Sequence, residues 1–533
     1  MKLRLPDLAL VYGEQRTLLY SSEWEQNADV ALKLTLTEAD TLIPTVKAEQ
    51  TPISFVVLKW YFQEGEARQI GIRVMGDAWE RGYGDMEWRG IAPDRCMPWY
   101  CLVSNGSDLE TNYSGRLTEC FGVKVRPSAF CFWQYDVNGI TLTMDVRCGA
   151  RGVLLGEREL QAAEILFCEY RDISAYESGK RFCRAMCDDP VFPKAPVYGF
   201  NNWYYAYGKS SPREIKRDAE RLAELTKGLQ KPYMVIDDGW QPKGRFEGVW
   251  KGNKIFGDMR KLASEISQIG VLPGIWVRPL LRRGSKEPFA SWKSEISKEY
   301  LDPSRPEVLS YIENVCSELV DCGYRLMKLD FLTFDLFLKW GMECKQFLAG
   351  LRDDWSFFDR TKTSAEIILG LYRAIRRGAG EAVLIGCNAI GHLCAGLFEV
   401  NRTGDDTSGK DWKRTRKMGV NTLAFRSIQN GAFYAADADC VGITELVPWE
   451  LNERWLYLLS RSGSPLFISW NLNVKEPVIQ STVKKALECN SIQQDELIPL
   501  DWMENHCPCL WRVNGEIVKI DWFGKYDHNL IEK

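Results

Sequence analysis

The feature that most constrains the fold of this chain is a regular alternation of apolar strand-like runs with amphipathic helical stretches between residues 197 and 470. The stretch SPREIKRDAERLAELTKGL, which begins with Ser-Pro and keeps its apolar residues on one face, is typical of the intervening helices. Eight such alternations predict a (β/α)8 barrel. The predicted strands span residues 197–206, 233–240, 272–279, 324–331, 382–388, 397–406, 432–440 and 465–470.

The whole chain has 533 residues and is too long for one hydrophobic core. The segments outside the barrel predict β structure on both sides of it. Before the barrel, short alternating segments such as ISFVVLKWYFQ and ITLTMDVRCG predict an antiparallel β-sandwich. After it, strand-like patches predict a small β-domain. We therefore expect a multidomain α/β plus β protein, with an N-terminal β-sandwich domain at 1–190, a central (β/α)8 TIM barrel at 191–470 and a C-terminal β-domain at 471–533.

Composition argues against several classes of function. A net charge of −4 without a long basic tract disfavours nucleic acid as a partner, and no apolar run approaches the roughly 20 residues of a membrane span. The first residues lack the apolar run of a secretory signal, and the 17 cysteines form no disulfide framework. We therefore expect reduced thiols and a cytoplasmic location.

Histidine is scarce, with only His392, His506 and His528 in the chain. A Ser–His–Asp triad would depend almost entirely on His392, so the acids and bases of an enzyme built on this chain are expected to be carboxylates. The segment HCPC has no second ligand pair at zinc spacing, and no metal or organic cofactor is expected.

Polar side chains gather at the predicted strand ends, the edge at which (β/α)8 barrels place their active sites. They are Asn202, Trp203, Tyr204, Tyr205, Asp237, Asp238, Trp276, Lys328, Asp330, Cys387, Asn388, Arg402, Asp405, Asp406, Asp437 and Asp439. Separated carboxylates in a pocket with aromatic walls are what glycoside hydrolysis requires.

Lys328 and Asp330 lie two residues apart on the fourth predicted strand and should face the same side. We expect the ammonium to favour the ionised form of Asp330, which makes Asp330 the candidate nucleophile. The alternative is a buried pair that only supports the barrel, although such pairs contribute little stability. In the segment RTGDDTS, an ionised Asp raises the pKa of the Asp beside it, which suits a proton donor. The alternative interpretation of this segment is an Asp-rich loop that only caps the helix that follows.

Five motifs, taken in order, resemble those of the glycoside hydrolase family 36 α-galactosidases and, more distantly, of families 27 and 31 of the same clan. They are FNNWYYAYG, VIDDGWQ, PGIWVRP, MKLDF and NRTGDDTS, within residues 197–470. The ordered set is specific, whereas any single motif is not. The fifth strand departs from the family, with IGCNAIGHLCAG where many members have a Cys-Ser-Gly segment, and the N-terminal region is shorter. Both departures concern the choice of substrate more than the reaction.

Position by position, the resemblance implies that Asp330 is the nucleophile and Asp406 the acid/base. Asp405 is the rival for the second role, because related families place the acid directly after a glycine. Burial and Asp405 are expected to raise the pKa of Asp406. The paired acids of the DDGW motif are implied to bind the 4- and 6-hydroxyls of galactose. The implied substrate-binding residues are Trp203, Asp237, Asp238, Trp276, Lys328, Cys387, Arg402 and Asp405.

The function implied is a retaining glycoside hydrolase that releases terminal α-linked galactose from oligosaccharides or glycosides through a covalent galactosyl-aspartate intermediate. Alternatives within the same barrel are an α-N-acetylgalactosaminidase, an arabinopyranosidase or a galactosyl transferase. A non-catalytic carbohydrate-binding barrel is the alternative from another class. An aldolase using Lys328 as a Schiff base is disfavoured, because a neighbouring carboxylate keeps the amine protonated. The expected partner is the sugar substrate. Family members often assemble as oligomers, so a homo-oligomer is an alternative to a monomer.

Overall fold

The computed structural model describes residues 1–25, 28–63, 71–242, 251–283, 287–341, 354–471, 473–492 and 497–524. Its strands form two antiparallel sheets, one parallel sheet and a small antiparallel sheet at the end of the chain.

Residues 8–171 form the two antiparallel sheets. Their strands are β1 (Leu8–Gly13), β2 (Leu18–Ser21), β3 (Trp24–Glu25), β4 (Val30–Leu36), β5 (Leu42–Ala48), β6 (Ile53–Tyr61), β7 (Arg73–Gly76), β8 (Met97–Pro98), β9 (Tyr100–Ser104), β10 (Leu117–Val123), β11 (Phe130–Tyr135), β12 (Gly139–Asp145), β13 (Leu160–Gln161) and β14 (Ile165–Arg171). The first sheet has the order β3-β2-β1-β6-β12-β11-β8, and the second has the order β13-β5-β14-β10-β9-β7, with β4 paired to β5.

The apolar faces of these two sheets meet. Alternate residues of β1 are buried, as the period of a strand with one covered face requires. Trp60 of the first sheet contacts Phe167 of the second with ring centroids 5.1 Å apart. The predicted antiparallel strands in this part of the chain are confirmed.

The parallel sheet has nine strands, which are β15 (Tyr198–Asn201), β16 (Tyr233–Ile236), β17 (Leu272–Val277), β18 (Leu326–Leu329), β19 (Val383–Gly386), β20 (Val400–Arg402), β21 (Ala435–Asp437), β22 (Cys440–Ile443) and β23 (Leu466–Trp470). Each of the eight predicted runs contains at least part of one of these strands, and the seventh run is interrupted. Ala438 and Asp439 separate β21 from β22, and Asp439 has a φ of 72°, a left-handed conformation that a strand cannot include.

The order of the parallel sheet is β21-β20-β19-β18-β17-β16-β15-β23-β22. The two outermost strands, β21 and β22, are therefore only two residues apart in the chain. A sheet whose opposite edges are held by one short stretch of chain must curl. The parallel sheet is accordingly curled, and the helices that connect its strands give the fold a mixed α/β character.

Helices connect the strands. They are α1 (Ala175–Met186), α2 (Trp203–Ala206), α3 (Pro212–Leu225), α4 (Met259–Ile269), α5 (Pro306–Asp321), α6 (Phe334–Phe337), α7 (Ser364–Ala379), α8 (Gly391–Cys394), α9 (Trp412–Thr415), α10 (Thr422–Arg426), α11 (Trp449–Leu459) and α12 (Pro477–Asn490). The Ser-Pro signal correctly marks the start of α3, where the side chain of Ser211 caps the helix and Pro212 begins it. A π-helical turn, Arg416–Asn421, separates α9 from α10.

Two features differ from the predicted boundaries. The first parallel strand ends at Asn201, whose side-chain oxygen accepts a hydrogen bond from the backbone N–H of Trp203 at 2.8 Å and turns the chain into α2. Helix α12 occupies residues that we expected to be β structure, and the small antiparallel sheet follows it. That sheet consists of β24 (Leu497–Pro499), β25 (Leu510–Val513) and β26 (Glu516–Lys519).

A buried ion pair joins the N-terminal part of the chain to the parallel sheet. Arg426 at the end of α10 donates from Nε to Asp77 Oδ1 at 2.8 Å and from Nη2 to Asp77 Oδ2 at 3.1 Å. It also donates to the backbone oxygen of Glu80 at 2.9 Å, and Gln429 donates to Asp77 at 2.8 Å. This pair fixes residues 77–80 against the loops that follow β20.

No helix in the described ranges is both long and apolar enough to cross a membrane. The sixteen cysteines within those ranges are all free thiols.

Replacing Arg426 by Leu should lower the free energy of unfolding by about 3–5 kcal/mol, because it leaves the Asp77 carboxylate buried without its cation. Urea unfolding of both proteins measures the difference. Arg454→Leu is the matched control, since the Arg454–Asp521 pair is solvent-exposed and should contribute about 0–1 kcal/mol. Equal effects of the two substitutions would show that the Arg426 pair does not anchor the N-terminal segment.

Candidate active site

A cavity of about 370 Å³ lies where the parallel strands end at their carboxyl side. Eight of the ten predicted site residues line it: Trp203, Asp237, Asp238, Trp276, Lys328, Asp330, Asp405 and Asp406. Five further residues of its wall were not predicted, namely Arg81, Tyr83, Phe331, Trp340 and Arg414. The carboxyl ends of parallel strands meet at one edge of a sheet, which is why side chains more than 200 residues apart in the chain share this cavity.

A larger cavity, of about 610 Å³, lies at the opposite end of the strands, where Val197, Ala435 and Pro465 contribute to its wall. None of the ten predicted site residues lines that cavity. We therefore place the candidate active site in the smaller one.

Lys328 does not pair with Asp330, as we had expected, but with Asp237. Its Nζ donates to Asp237 Oδ2 at 2.7 Å, across the intervening strand β17. Asn201 donates to the same oxygen at 2.6 Å, and the backbone N–H of Asp238 donates to the other oxygen at 2.8 Å. Asp237 is thus held by three donors.

The ammonium of Lys328 stays charged. Burial is the largest single influence and acts to lower the pKa of Lys328, but the neighbouring negative charges, above all that of Asp237, together outweigh it and raise the pKa well above its ordinary value. A Schiff base requires a neutral amine, so the aldolase alternative loses its central residue.

Asp238 is less enclosed than Asp237. Burial raises the pKa of its carboxyl, an effect that the charges of Asp237 and Asp330 reinforce and that a hydrogen bond from Gln241 opposes. Gln241, which was not predicted, donates from Nε2 to Asp238 Oδ1. Asp238 has one side-chain donor and faces the cavity.

Asp330 is oriented by two N–H groups. Trp276 Nε1 donates to Oδ2 at 3.1 Å, and the backbone N–H of Phe331 donates to Oδ1 at 2.8 Å. Phe331 has a φ of 58°, a conformation that costs a bulky residue on the order of 1–3 kcal/mol. Packing compensates for this strain, because the guanidinium carbon of Arg278 lies 3.9 Å from the centre of the Phe331 ring and Trp340 contacts its edge.

The two consecutive aspartates after β20 have different surroundings. Asp405 Oδ1 lies 2.7 Å from Arg81 Nη2, and Arg414 donates to Asp405 Oδ2. Asp406 contacts Arg402 at 3.3 Å, and its side chain is 34% exposed compared with 17% for Asp405. Asp406 is therefore the more accessible of the two from the cavity.

The pKa of Asp406 is lowered, contrary to our expectation. Burial acts to raise it, as predicted, but four cations outweigh burial. They are Arg402, Arg81, Lys328 and Arg414. Because Asp405 is itself bound by two arginines, it does not provide the uncompensated negative charge that the prediction assumed.

Cys387 and Arg402, the two remaining predicted residues, lie beneath the cavity wall. Arg402 is 1% exposed, its Nη1 lies 3.3 Å from Cys387 Sγ, and its Nη2 lies 2.9 Å from Asp439 Oδ2. The hydroxyls of Tyr204 and Thr407 also donate to Asp439. The structure therefore gives Arg402 contacts with Asp406 and Asp439 rather than a place on the wall.

His392 is part of the hydrophobic core. Its Nε2 lies 2.8 Å from the backbone oxygen of Val123, and its ring stacks on Trp99 at 4.9 Å. Burial lowers the pKa of His392 to about 4. This environment agrees with the inference that carboxylates rather than histidine provide acid/base chemistry.

Most of the residues that sequence reasoning missed are marked by no local pattern. Arg81 and Tyr83 belong to the segment between β7 and β8, far before the parallel sheet. Phe331 directly follows Asp330 in the MKLDF motif, and adjacency was the one signal that could have identified it.

The fold and this cavity together define a class of protein. In this class, antiparallel β-sheets precede a curled parallel sheet with connecting helices, and a carboxylate-rich cavity lies at the carboxyl ends of the parallel strands. This is the architecture of the family 36 α-galactosidases, and the predicted resemblance is confirmed at the level of the fold. No protein-family model matches the chain.

Three solved structures illustrate the likeness. The α-galactosidase of Thermus thermophilus, in complex with p-nitrophenyl α-D-galactopyranoside, has a TM-score of 0.59 and 16% identity, over 92% of this chain and 99% of that one. The family 36 α-galactosidase AgaA of Geobacillus stearothermophilus, in complex with 1-deoxygalactonojirimycin, has a TM-score of 0.60 and 14% identity, over 96% and 77%. The galactosidase domain of the α-galactosidase-sucrose kinase AgaSK has a TM-score of 0.55 and 15% identity, over 90% and 73%.

The Lys328–Asp237 pair should behave as one unit in a double-mutant cycle. Lys328→Met should lower the free energy of unfolding by about 3–5 kcal/mol, because Asp237 loses its cation. Adding Asp237→Asn should restore part of the loss, with an interaction energy of about 0.5–3 kcal/mol measured by urea unfolding. Lys216→Met, which breaks a partly exposed pair with Glu265, is the control. Strictly additive effects at Lys328 and Asp237 would contradict the pairing.

Proposed function

We propose that this chain is a retaining glycoside hydrolase that releases terminal α-linked galactose from oligosaccharides or glycosides. The observation that carries the proposal is that Asp330 and Asp406 line one cavity together with the paired acids and two tryptophans, as the resemblance to family 36 implies. The fold shared with α-galactosidases supports it. We also propose that the curled sheet is a closed (β/α)8 barrel at residues 191–470, flanked by domains at 1–190 and 471–533.

Asp330 is the nucleophile in this proposal. Its two N–H donors fix the carboxylate in one orientation. Because the carboxylate is already ordered, attack on the anomeric carbon costs less entropy. One carboxylate oxygen forms the bond to the anomeric carbon while the glycosidic oxygen leaves. Retention requires a separation of about 5–5.5 Å between the two catalytic carboxyl groups.

Asp406 is the proton donor to the leaving oxygen and then the base that activates water. Asp405 is a poor candidate for this role, because each of its carboxylate oxygens is already engaged by a guanidinium group and its side chain is the less exposed of the two. The lowered pKa of Asp406 in the free site means that its protonated form is lost as pH rises through a value below the ordinary one. Since kcat/KM reports the free enzyme, its basic limb should lie on the acid side of neutrality.

Sugar recognition falls mainly to Asp238 and Lys328. Asp237 already binds three donors, whereas Asp238 accepts from Gln241 and has acceptor capacity left for a hydroxyl. Lys328 uses one of its three N–H donors on Asp237 and faces the cavity. Trp203 and Trp276 provide flat apolar walls for the sugar ring.

The experiment that tests the function is hydrolysis of a panel of p-nitrophenyl glycosides, with the anomer of the first product followed by proton NMR. The α-galactoside should be hydrolysed fastest and with retention. A preference for another α-glycoside would favour the related glycosidases, and transfer products would favour the galactosyl transferase. Binding of galactose without any hydrolysis would favour the non-catalytic alternative.

Asp330→Asn should lower kcat for p-nitrophenyl α-galactoside by at least about 10³-fold, because the nucleophile is lost. Asp406→Asn should lower kcat/KM for stachyose by about 10²–10⁴-fold and that for the nitrophenyl galactoside less, because nitrophenolate leaves without a proton. Asp405→Asn is the control for the second effect. A leaving-group dependence in Asp405→Asn instead of Asp406→Asn would reverse the assignment.

Asp238→Asn should reduce the preference for a galactoside over the corresponding glucoside, because these sugars differ in the position of one hydroxyl. A hydrogen bond to a charged group contributes about 1.5–3 kcal/mol, so kcat/KM for the galactoside should fall about 10- to 100-fold. Trp340→Leu is the control, since an aromatic wall residue that is 39% exposed should affect both epimers alike. An unchanged ratio in Asp238→Asn would remove Asp238 from sugar recognition.

A further inference from the structure

We propose that Arg81, which the chain carries in its N-terminal part, is a positioning residue for the carboxylates that follow β20 and acts on Asp406 through Asp405. The inference rests on the proposed function, because Asp406 is the acid/base only in that proposal. It goes beyond that function by assigning a role to the segment between β7 and β8, in which no site residue was predicted.

The segment around Arg81 is fixed to the parallel sheet by its backbone. Gly82 donates to the backbone oxygen of Thr403 at 2.8 Å and accepts from the backbone N–H of Asp405 at 3.0 Å. Both sides of this contact require glycine. A Cβ on Gly404 would lie 2.1 Å from the backbone oxygen of Met418, and one on Gly82 would lie 2.8 Å from a methyl of Thr422.

The side chain of Arg81 joins two strand ends. It is 4% exposed, its Nη2 lies 2.7 Å from Asp405 Oδ1, and its Nη1 donates to the backbone oxygen of Cys387 at 3.2 Å. Cys387 follows β19 and Asp405 follows β20. A residue from outside the parallel sheet therefore holds these two neighbouring strand ends together.

The surroundings of Arg81 restrict its rotation. Its guanidinium carbon lies 5.2 Å from the centre of the Trp340 ring, within the range of a cation–π contact. The neighbouring Glu80 is fully buried and accepts hydrogen bonds from Asn388 at 2.8 Å and from the backbone N–H of Gly341 at 3.1 Å. Arg81 is thus preorganised before any ligand binds.

Arg81 reaches Asp406 through the chain. With one oxygen of Asp405 on Arg81 and the other on Arg414, the Asp405 carboxylate cannot rotate freely, and the backbone that it shares with Asp406 is fixed. The direction in which Asp406 enters the cavity follows from this. A shift of about 1 Å in a reacting group can cost about 10²-fold in rate.

Arg81 also contributes to the charge around Asp406. The cations near Asp406 are Arg81, Lys328, Arg402 and Arg414, and the phenols of Tyr204 and Tyr207 are also close. The carboxylates that share its cavity or its arginine are Asp237, Asp238, Asp330, Asp405 and Asp439. Removing one cation from this set should raise the pKa of Asp406, so its proton-donor form should persist to higher pH.

The test compares Arg81→Met, Arg81→Lys and the control Arg89→Met. Arg89 lies on the same segment, in a solvent-exposed pair with Glu87, and does not line the cavity. We expect Arg81→Met to lower kcat by about 10- to 100-fold with little change in KM and to move the basic limb of kcat/KM to higher pH. Arg81→Lys, which keeps the charge, should leave the basic limb near the wild-type position while still losing kcat. Arg89→Met should match the wild type.

A wild-type kcat and pH profile in Arg81→Met would overturn the proposal, and a rise in KM alone would make Arg81 a binding residue instead. If Arg81→Met fails to fold, Arg81→Lys provides the test instead. A reduced kcat with the basic limb of kcat/KM near its wild-type position would support the proposal, and a wild-type kcat would overturn it. If the wild type hydrolyses no glycoside, the proposed function fails, and crystal structures separate the two failures. Displacement of the Asp405 and Asp406 carboxylates in Arg81→Lys would support the positioning role, and unchanged carboxylates would overturn it.

Discussion

The site depends on the balance of charge among carboxylates that are brought into one partly enclosed cavity. Asp237, Asp238, Asp330, Asp405 and Asp406 share its wall, and such a cluster would be unstable if their charges were uncompensated. Each acid is therefore met by at least one donor, in several cases from a distant part of the chain. Lys328 meets Asp237 across β17, the indole of Trp276 meets Asp330, and arginines meet both residues that follow β20.

This balance makes the N-terminal part of the chain a component of the site. Arg81 supplies one of the cations, and its position depends on the Arg426–Asp77 pair and on the backbone contact of Gly82 with residues 403 and 405. The antiparallel sheets thus do more than precede the parallel sheet. They carry a segment that completes the charge compensation of Asp405, which strands of the parallel sheet alone do not provide.

The sequence was sufficient to predict that the five carboxylates of the cavity meet, because strand-like runs separated by helices place their carboxyl ends at one edge of a parallel sheet. Asp437 and Asp439, which were expected at the same edge, do not line the cavity, and Asp439 binds Arg402 instead. The sequence was insufficient to predict the partners of the carboxylates. Lys328 and Asp330 lie two residues apart in the chain, yet the ammonium pairs with Asp237 across the intervening strand β17. The split of the seventh strand at Asp439 and the wall residues Arg81 and Trp340 depend on contacts between distant segments, which leave no periodic signal.

Asp405 and Asp406 show why adjacent identical residues cannot be assigned from local sequence. Each follows β20, each is within reach of an arginine, and the glycine before Asp405 favoured it by analogy. Their environments separate them, because Asp405 has a guanidinium on each oxygen whereas Asp406 has a single contact with Arg402 at 3.3 Å and the more exposed side chain. To act on a ligand through either oxygen, Asp405 would have to give up its contact with Arg81 or with Arg414. Asp406 can gain or lose a proton while Arg402 keeps Asp439. In the proposed function, two neighbouring carboxylates of one loop therefore serve different purposes, one structural and one chemical.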